Sequence, residues 1–359
     1  MKTSGHVLLV LEATIGGTRR HVREQALGLA RRGWKVDLAY SLFRDPRFID
    51  DLVLFEKAGI GCHEIPMHRG FAPFADIVAV RRLRALARRL QPDVVHCHST
   101  KAGLVGRLAL RGMSPKVIYT PHCWAFQMDS PLRGLYRLVE KALIPSTDLL
   151  LAVCKDEARL GGELGYPAEQ IRVACNGIDA AECGRHVPKT REIVFIGRAA
   201  RQKGLDILLE AYRLILKQRP GTRLSVMSDV TGRLRAELLE EGAEIVSFGT
   251  QAESASFLAS GTVLAMPSRW EAFPYLVLEA MAAGVPVVAS DVGGVDEAVS
   301  DGESAVLVPP GQPEKMANAL MRLLDSPEER ALLAQKAAAQ GGVFTLDRLL
   351  DAVESAYCG

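Results

Sequence analysis

Residues 267–295 read PSRWEAFPYLVLEAMAAGVPVVASDVGGV. A polar loop, an apolar run of helical period, a β-branched run VPVVAS (285–290) and the Gly293-Gly294 turn follow one another without a spacer. That order predicts one helix–strand unit of a parallel α/β sheet. Glu271 falls in the loop before the helix, and Glu279 falls just over a turn in from Tyr275. Backbone N–H groups from Phe273 to Leu276 are helix-start donors, which suit anions and sugar hydroxyls. An ionised carboxylate only accepts hydrogen bonds, so each Glu can hold a pair of neighbouring hydroxyls. Two such acceptors around one helix start fit a ligand with separated diols, such as a nucleotide sugar. Spacing alone fits equally well an amphipathic helix with Glu279 on its wet face.

Outward from this unit, short β-rich runs alternate with helix-period segments along the whole chain. Strands are predicted at 6–12, 35–40, 93–98, 116–121 and 149–154, then at 192–198, 223–229, 243–249, 262–268 and 285–290. HVREQALGLARRG (21–33) reads as a helix closed by Gly33. At 359 residues the chain is long for one core, so two domains are expected. Polar HVPKTRE (186–192) reads as the linker between them. The expected organisation is a first domain over 1–187, a second over 188–345, and a closing helix over 346–359 that returns to the first.

Composition narrows the class. Apolar residues at 48% and charged residues at 24% describe an ordinary globular chain, and no apolar run is long enough to span a bilayer. The opening MKTSGHVLLVLEATIGG lacks a small-residue cleavage pattern and reads as a first strand, not a leader. Seven scattered cysteines without a C-x-x-C pair point to a reducing cytosol, with neither a disulfide framework nor a zinc cluster. The net charge of +2 hides an asymmetry: residues 1–180 carry 26 Lys/Arg against 18 Asp/Glu (+8), and the rest carry 18 against 24 (−6). A basic first half suits an anionic surface or substrate. No zinc-finger, RRM or basic-zipper signature accompanies it, and aromatics at 6% leave few stacking platforms, so nucleic acid is not an expected partner.

Open parallel sheets take ligands at the carboxyl ends of their strands, and the motifs fall there. In FIGRAARQKGLDILLEAY, Arg198 and Lys203 stand between a strand end and a helix start, suited to a diphosphate. No Walker loop and no G-x-G-x-x-G follows any predicted strand, which removes the main support for nucleotide triphosphatases and nicotinamide dehydrogenases. Gly16-Gly17, after the first strand and before a helix expected near Thr18, allows close approach of a ligand to the backbone. His96 and His98 end one strand and face the same side, so a metal site there is conceivable, but no further ligand spacing and no Asp-x-Asp pair supports one. His122, between Pro121 and the Trp124–Phe126 loop, is the better candidate for a substrate contact. In VRRLRALARRLQ (80–91), Val80, Leu83, Ala87 and Leu90 form an apolar stripe flanked by Arg81, Arg82, Arg84, Arg88 and Arg89. Such a helix is either a solvated face over a core stripe or an anchor for anionic lipid.

Together these residues resemble the family 4 glycosyltransferases. The resemblance covers essentially the whole chain and rests on Gly16-Gly17, DVVHCHSTKAGLVGRLA, VIYTPHCWAF, GRAARQKGLDILLEA and, most specifically, EAFPYLVLEAMAAGVPVVASDVGGVDEAV. It implies the GT-B fold: two facing Rossmann-like domains with parallel sheets and an interdomain cleft. It also implies roles. Glu271 contacts the donor sugar, Glu279 holds the ribose, Arg198 and Lys203 stabilise the departing diphosphate, and His122 lies close to the transferred sugar. The donor segment further takes in Gly16, Gly17, Ala272, Phe273, Pro274 and Tyr275. Cys123 and Pro274 stand where relatives often have Gly, and Ala199-Ala200 replace bulkier residues; none of these removes a charge.

The expected activity is retaining transfer of a sugar from a UDP- or GDP-sugar to a glycan acceptor, lipid-linked through a polyprenyl diphosphate, in cell-surface polysaccharide synthesis. Fixed cations and helix-start donors can stabilise a leaving diphosphate, so no cofactor and no metal is expected. The expected location is cytoplasmic, with peripheral contact to an anionic inner membrane face through the 80–91 helix. Two rivals share the shape: an epimerase, which needs no acceptor, and a non-catalytic nucleotide-sugar-binding protein, which has no need of a leaving-group clamp.

Overall fold

A computed structural model describes residues 4–186 and 191–359; of the linker read at 186–192, residues 187–190 lie outside the described residues. The chain divides into two compact units, 1–176 with 346–359, and 177–345.

Unit one is a seven-stranded parallel sheet. Its strands are β1 (His6–Leu11), β2 (Lys35–Tyr40), β3 (Gly61–Glu64), β4 (Val94–His98), β5 (Lys116–Thr120), β6 (Leu149–Ala152) and β7 (Ile171–Val173), in the order β3-β2-β1-β4-β5-β6-β7. Side-chain alternation feeds a core on each face. Val7, Leu9 and Leu11 pack with Val22, Ala26 and Leu29 of the Gly16–Arg31 helix. Leu8 and Val10 pack on the other side with Leu83, Val105 and Trp124. Neither β3 nor β7 was legible in the sequence. Each is an edge strand of three or four residues, and GCHE lacks any apolar run.

The last helix, Leu346–Cys358, belongs to unit one. Leu349, Leu350, Val353, Ala356 and Tyr357 form its buried stripe against the Gly16–Arg31 helix, where Leu350 lies over Gly28. The Arg32 guanidinium bonds Asp347, Asp351 and Glu354, and the Trp34 indole N–H donates to Glu354 at 2.8 Å.

Unit two is a six-stranded parallel sheet of β8 (Arg191–Ile196), β9 (Leu224–Met227), β10 (Glu244–Val246), β11 (Gly261–Met266), β12 (Val287–Ser290) and β13 (Val306–Val308), ordered β10-β9-β8-β11-β12-β13. Its three-residue edge strand β13 was also unread. The helix Leu205–Gln218 buries Leu205, Leu208, Leu209, Tyr212 and Ile215 against this sheet. Fully burying each such aliphatic side chain contributes roughly 1.5–3 kcal/mol. In each sheet the strand order reverses beside the first strand, between β1 and β4 and between β8 and β11. Such switch points open a crevice at the carboxyl ends, where doubly wound sheets take ligands. Among the described residues no helix is long and apolar enough to cross a membrane.

Candidate functional site

In unit two, the loops after β8 and β11 are tied together around Glu271. This carboxylate is 7% exposed; its Oε1 accepts from Lys203 Nζ at 2.6 Å and from the Ser268 hydroxyl at 2.7 Å. Gln202 donates to the Trp270 carbonyl (3.0 Å), Arg269 N–H donates to the Gln202 carbonyl (2.7 Å), and the Arg269 guanidinium bonds Asp206 through both carboxylate oxygens. Two glycines make this closeness possible. Gly204 has φ +67° and packs on the Pro267 carbonyl; Gly294 has φ +79° and packs on the Ala272 carbonyl. A Cβ on either would overlap that carbonyl oxygen, so the Gly-Gly turn read from the sequence fixes the start of the Glu271–Pro274 loop.

The remaining residues of the segment take their places around that core. Pro274 caps the Tyr275–Ala283 helix, and Glu279 is half-buried on it. Phe273 and Tyr275 are buried, Phe273 edge-on to Phe344 at 5.2 Å between centroids, so these two offer a ligand their backbone more than their rings. Ala272 is half-buried. Arg198 follows β8, is half-buried, and makes no hydrogen bond or ion pair with any described residue. The two cations read together therefore differ: Lys203 is neutralised by Glu271, and Arg198 is left for an anion. On the same sheet, a cavity of about 340 Å³ opens at the ends of β9 and β10, lined by Met227, Val246, Ser247, Gly249, Glu253 and Phe257. That volume suits a nucleoside-sized group.

In unit one, Gly16 (φ +61°) and Gly17 open the first helix, two residues earlier than Thr18. His122 sits in the left-handed region at φ +53°, followed by Cys123 at +77°. Glu157 holds this turn: its side chain accepts from the Cys123 and Val153 N–H groups (2.8 Å each), and its carbonyl accepts from the Trp124 indole (3.0 Å). Trp124 and Phe126 are core residues stacked at 5.3 Å.

His122 is part of a histidine cluster. Its Nε2 meets His98 Nδ1 at 3.1 Å, and its ring lies 4.7 Å from that of His21, whose Nδ1 meets Asn176 Oδ1 at 2.8 Å. His96 lies on the same side, its ring 3.9 Å from that of His98, but its nitrogens meet Thr120 Oγ1 (2.8 Å) and the Tyr357 hydroxyl (2.8 Å) of the last helix. Burial holds all four well below the usual histidine range, His21 to about 4. Among the described residues, the set able to offer three nitrogens to a metal is His21, His98 and His122, with ligand atoms within 4.8 Å of one another, and not the pair His96 and His98. In this conformation His98 and His122 spend facing nitrogens on each other. Sequence reading missed His21, Asn176 and Glu157. Each lies inside a run read as helix or loop, and only the topology brings it beside His122.

Comparison with known proteins shows the family and the fold. Residues 15–182 match the model described as Glycosyltransferase Family 4, and residues 190–326 match Glycosyl transferases group 1. A D-inositol 3-phosphate glycosyltransferase of Acidothermus cellulolyticus is 31% identical over 386 residues, covering 95% of this chain and 85% of that protein. An uncharacterized 41.2 kDa protein in the cps region of Klebsiella pneumoniae is 29% identical over 252 residues, 65% of this chain and 69% of that protein. Among solved structures, HepE of Anabaena in complex with UDP and glucose superposes with a TM-score of 0.81 at 20% identity, covering 99% of this chain and 100% of that one.

Proposed function

Taking as premise that this chain belongs to the glycosyltransferases of the GT-B fold, we propose that it is a retaining, metal-independent enzyme of polysaccharide assembly. The donor is a UDP- or GDP-sugar held by unit two. The acceptor is a glycan, lipid-linked through a polyprenyl diphosphate and met at the cytoplasmic membrane face. The observation that carries this reading is the Lys203–Glu271–Ser268 cluster around the buried Glu271, with the unpaired Arg198 in the same loop after β8 as Lys203. Rupture of the anomeric C–O bond leaves negative charge on a nucleoside diphosphate and an oxocarbenium-like sugar. Arg198 and the helix-start N–H groups near Tyr275 stabilise the diphosphate, while Glu271, oriented by Lys203 and Ser268, accepts from donor-sugar hydroxyls. Glu279 holds the ribose, and His122 contacts the transferred sugar as a neutral ring. The acceptor attacks from the face the diphosphate leaves, and the diphosphate itself takes the acceptor proton, so no protein nucleophile is assigned. A UDP- or GDP-sugar is expected to raise the melting temperature, and transfer is expected to persist in chelator. No shift with any nucleotide sugar would overturn the donor reading.

The membrane part of the proposal rests on the exposed face of the Pro73–Leu90 helix. That face runs from Phe74 (88% exposed), Ile77 and Val78 to Arg81, Arg82, Arg88 and Arg89, with exposed Phe71 just ahead. Val80, Leu83, Ala87 and Leu90 serve the core, as their stripe implied. Arg84 is not on the open face: it donates to the carbonyls of Ala109 (2.7 Å) and Arg111 (3.0 Å). Apolar side chains beside a cationic row supply the two signals that stable peripheral binding needs. Sedimentation with phosphatidylglycerol vesicles is expected to carry the protein down. Phe74→Ser combined with Arg81→Gln and Arg82→Gln is expected to cut the bound fraction severalfold without changing nucleotide-sugar binding. Equal sedimentation of that variant rules the helix out as the anchor.

A further inference from the structure

Three imidazoles from three separate elements converge in unit one. His21 lies in the second turn of the Gly16–Arg31 helix, His98 ends β4, and His122 follows β5 by two residues. Each offers one ring nitrogen, and the three nitrogens lie within 4.8 Å of one another. His98 Nδ1 and His122 Nε2 are already 3.1 Å apart. Two nitrogens bound tetrahedrally to one zinc ion at the usual bond length stand about 3.4 Å apart, so this pair needs little movement.

The surroundings hold the rings in place. Glu157 secures the left-handed turn that carries His122. His21 Nδ1 meets the Asn176 amide oxygen, which only accepts, so the ring proton sits on Nδ1 and the lone pair on Nε2. Ligating histidines are oriented in this way, by an acceptor on the nitrogen away from the metal. His98 adds a second observation. It is fully buried, and its Nε2 has no hydrogen-bond partner among the described residues. A buried polar atom left so calls for an occupant, and an ion is one that accounts for it. His96, beside it, has both nitrogens committed and stays outside the set.

The donor set narrows the metal. Three imidazoles without a carboxylate suit zinc, nickel or copper, whereas magnesium and calcium take oxygen ligands. His21 and His98 are buried and His122 is half-buried, so an ion enters on the His122 side. One ring N–H lies in the His98–His122 contact. As the ion enters, that proton moves to the other nitrogen of its own ring, and both facing lone pairs reach the metal with no net proton release.

We propose that His21, His98 and His122 form a Zn²⁺ site that shuts the enzyme, because bound zinc takes the imidazole that the donor sugar meets. Metal-free transfer is then the uninhibited state. The binding half stands on unit one alone; the inhibitory half rests on the sugar contact proposed for His122.

The test uses the full chain, stripped of metal with chelator and titrated with Co²⁺ as a spectroscopic probe of the zinc site. The visible d–d absorption of tetrahedral, nitrogen-bound Co²⁺ is expected, without the near-ultraviolet bands of thiolate ligation. Zn²⁺ is expected to abolish it, and Mg²⁺ is not. His98→Gln and His122→Asn each remove one ligand and are expected to weaken Co²⁺ binding about 100-fold or more, beyond the cost of losing an outer-shell partner. Asn176→Ala keeps all three rings and is expected to weaken it about 10- to 100-fold. Micromolar Zn²⁺ is expected to stop transfer by the wild type, reversibly with chelator, and to spare His21→Gln. Absence of the visible band in the wild type overturns the site. So do thiolate bands in its place, or equal binding by His122→Asn. Zinc that binds as expected yet leaves transfer untouched overturns the inhibitory half and the sugar contact of His122 together. The Co²⁺ spectra need no sugar, so failure of the donor reading shows separately, in the nucleotide-sugar melting shifts.

Discussion

Lys203→Ala is expected to lower the rate of sugar transfer by about 100- to 1,000-fold, the range found on removing one preorganised charge-stabilising group. The reason is specific to the pairing at 2.6 Å with Glu271. In the ligand-free structure Lys203 spends its charge on Glu271 and leaves the open position to Arg198. Truncation therefore does two things. It removes a cation near the departing diphosphate, and it leaves a buried carboxylate held by Ser268 alone. That lone charge also repels the anionic leaving group, so the effect falls on kcat more than on KM. Arg198→Ala removes charge without orphaning a carboxylate, and is expected to cost less stability than Lys203→Ala while still slowing transfer. Glu279→Gln tests the other end of the motif. It keeps shape but loses the acceptor-only carboxylate, and is expected to weaken nucleotide-sugar affinity with little change in melting temperature. Steady-state kinetics with melting curves on all three variants check the scheme. Near wild-type transfer in both Lys203→Ala and Glu279→Gln would remove the site assignment.

That pairing also marks the limit of what the sequence could tell. Strands with long apolar runs, such as HVLLVL and GTVLAM, were legible because burial on both faces demands continuous apolar residues. The short edges β3, β7 and β13 were not, since an edge strand needs neither length nor a full apolar run. In the site, Glu271, Lys203 and the Gly293-Gly294 turn announced themselves by sitting at strand ends. Sequence treated Arg198 and Lys203 as equivalent; only the fold shows that one is paired and the other open. His21 carried no local signal. It reads as a helix residue, and its chemistry arises from β1 lying between β2 and β4, a long-range pairing. Arg84 failed in the opposite sense: it reads as a surface cation and is spent on two carbonyls.

The histidine cluster makes the stability of unit one fall as the medium turns mildly acidic, before carboxylates begin to titrate. The network assigns the protons. Thr120 gives its own hydrogen to the Leu151 carbonyl (2.7 Å), so it accepts from His96 Nε2. The opposite nitrogen of His96 then accepts from the Tyr357 hydroxyl, which in turn accepts from Gln25 at 2.5 Å. His96 is thus neutral, with both nitrogens committed. His98 and His122 share one contact, His98 lies 3.9 Å from the His96 ring and His122 sits edge-on to His21 at 4.7 Å, so a charge on any ring is repelled by charge on the next and is stripped of water. In the unfolded chain each ring takes a proton near pH 6.5; in the folded chain His21 resists until about 4, and the other three are also held down. A depressed folded value means the unfolded state binds protons first, so stability is intact above about pH 6.5 and drains as pH falls toward 4. His21 alone accounts for about 2 kcal/mol by pH 5 and about 3 kcal/mol at the end of the window. The other three push the same way. Glu12, whose carboxyl is raised, pushes weakly the opposite way. Denaturant unfolding between pH 7.5 and 5 is expected to show this loss, and His21→Gln is expected to flatten it. A flat profile in the wild type would mean the rings accept protons in the folded state, and His122 would then meet the sugar as a cation. Neutral rings imply instead that an acid limb in the transfer rate comes from unfolding or from substrate, not from His122.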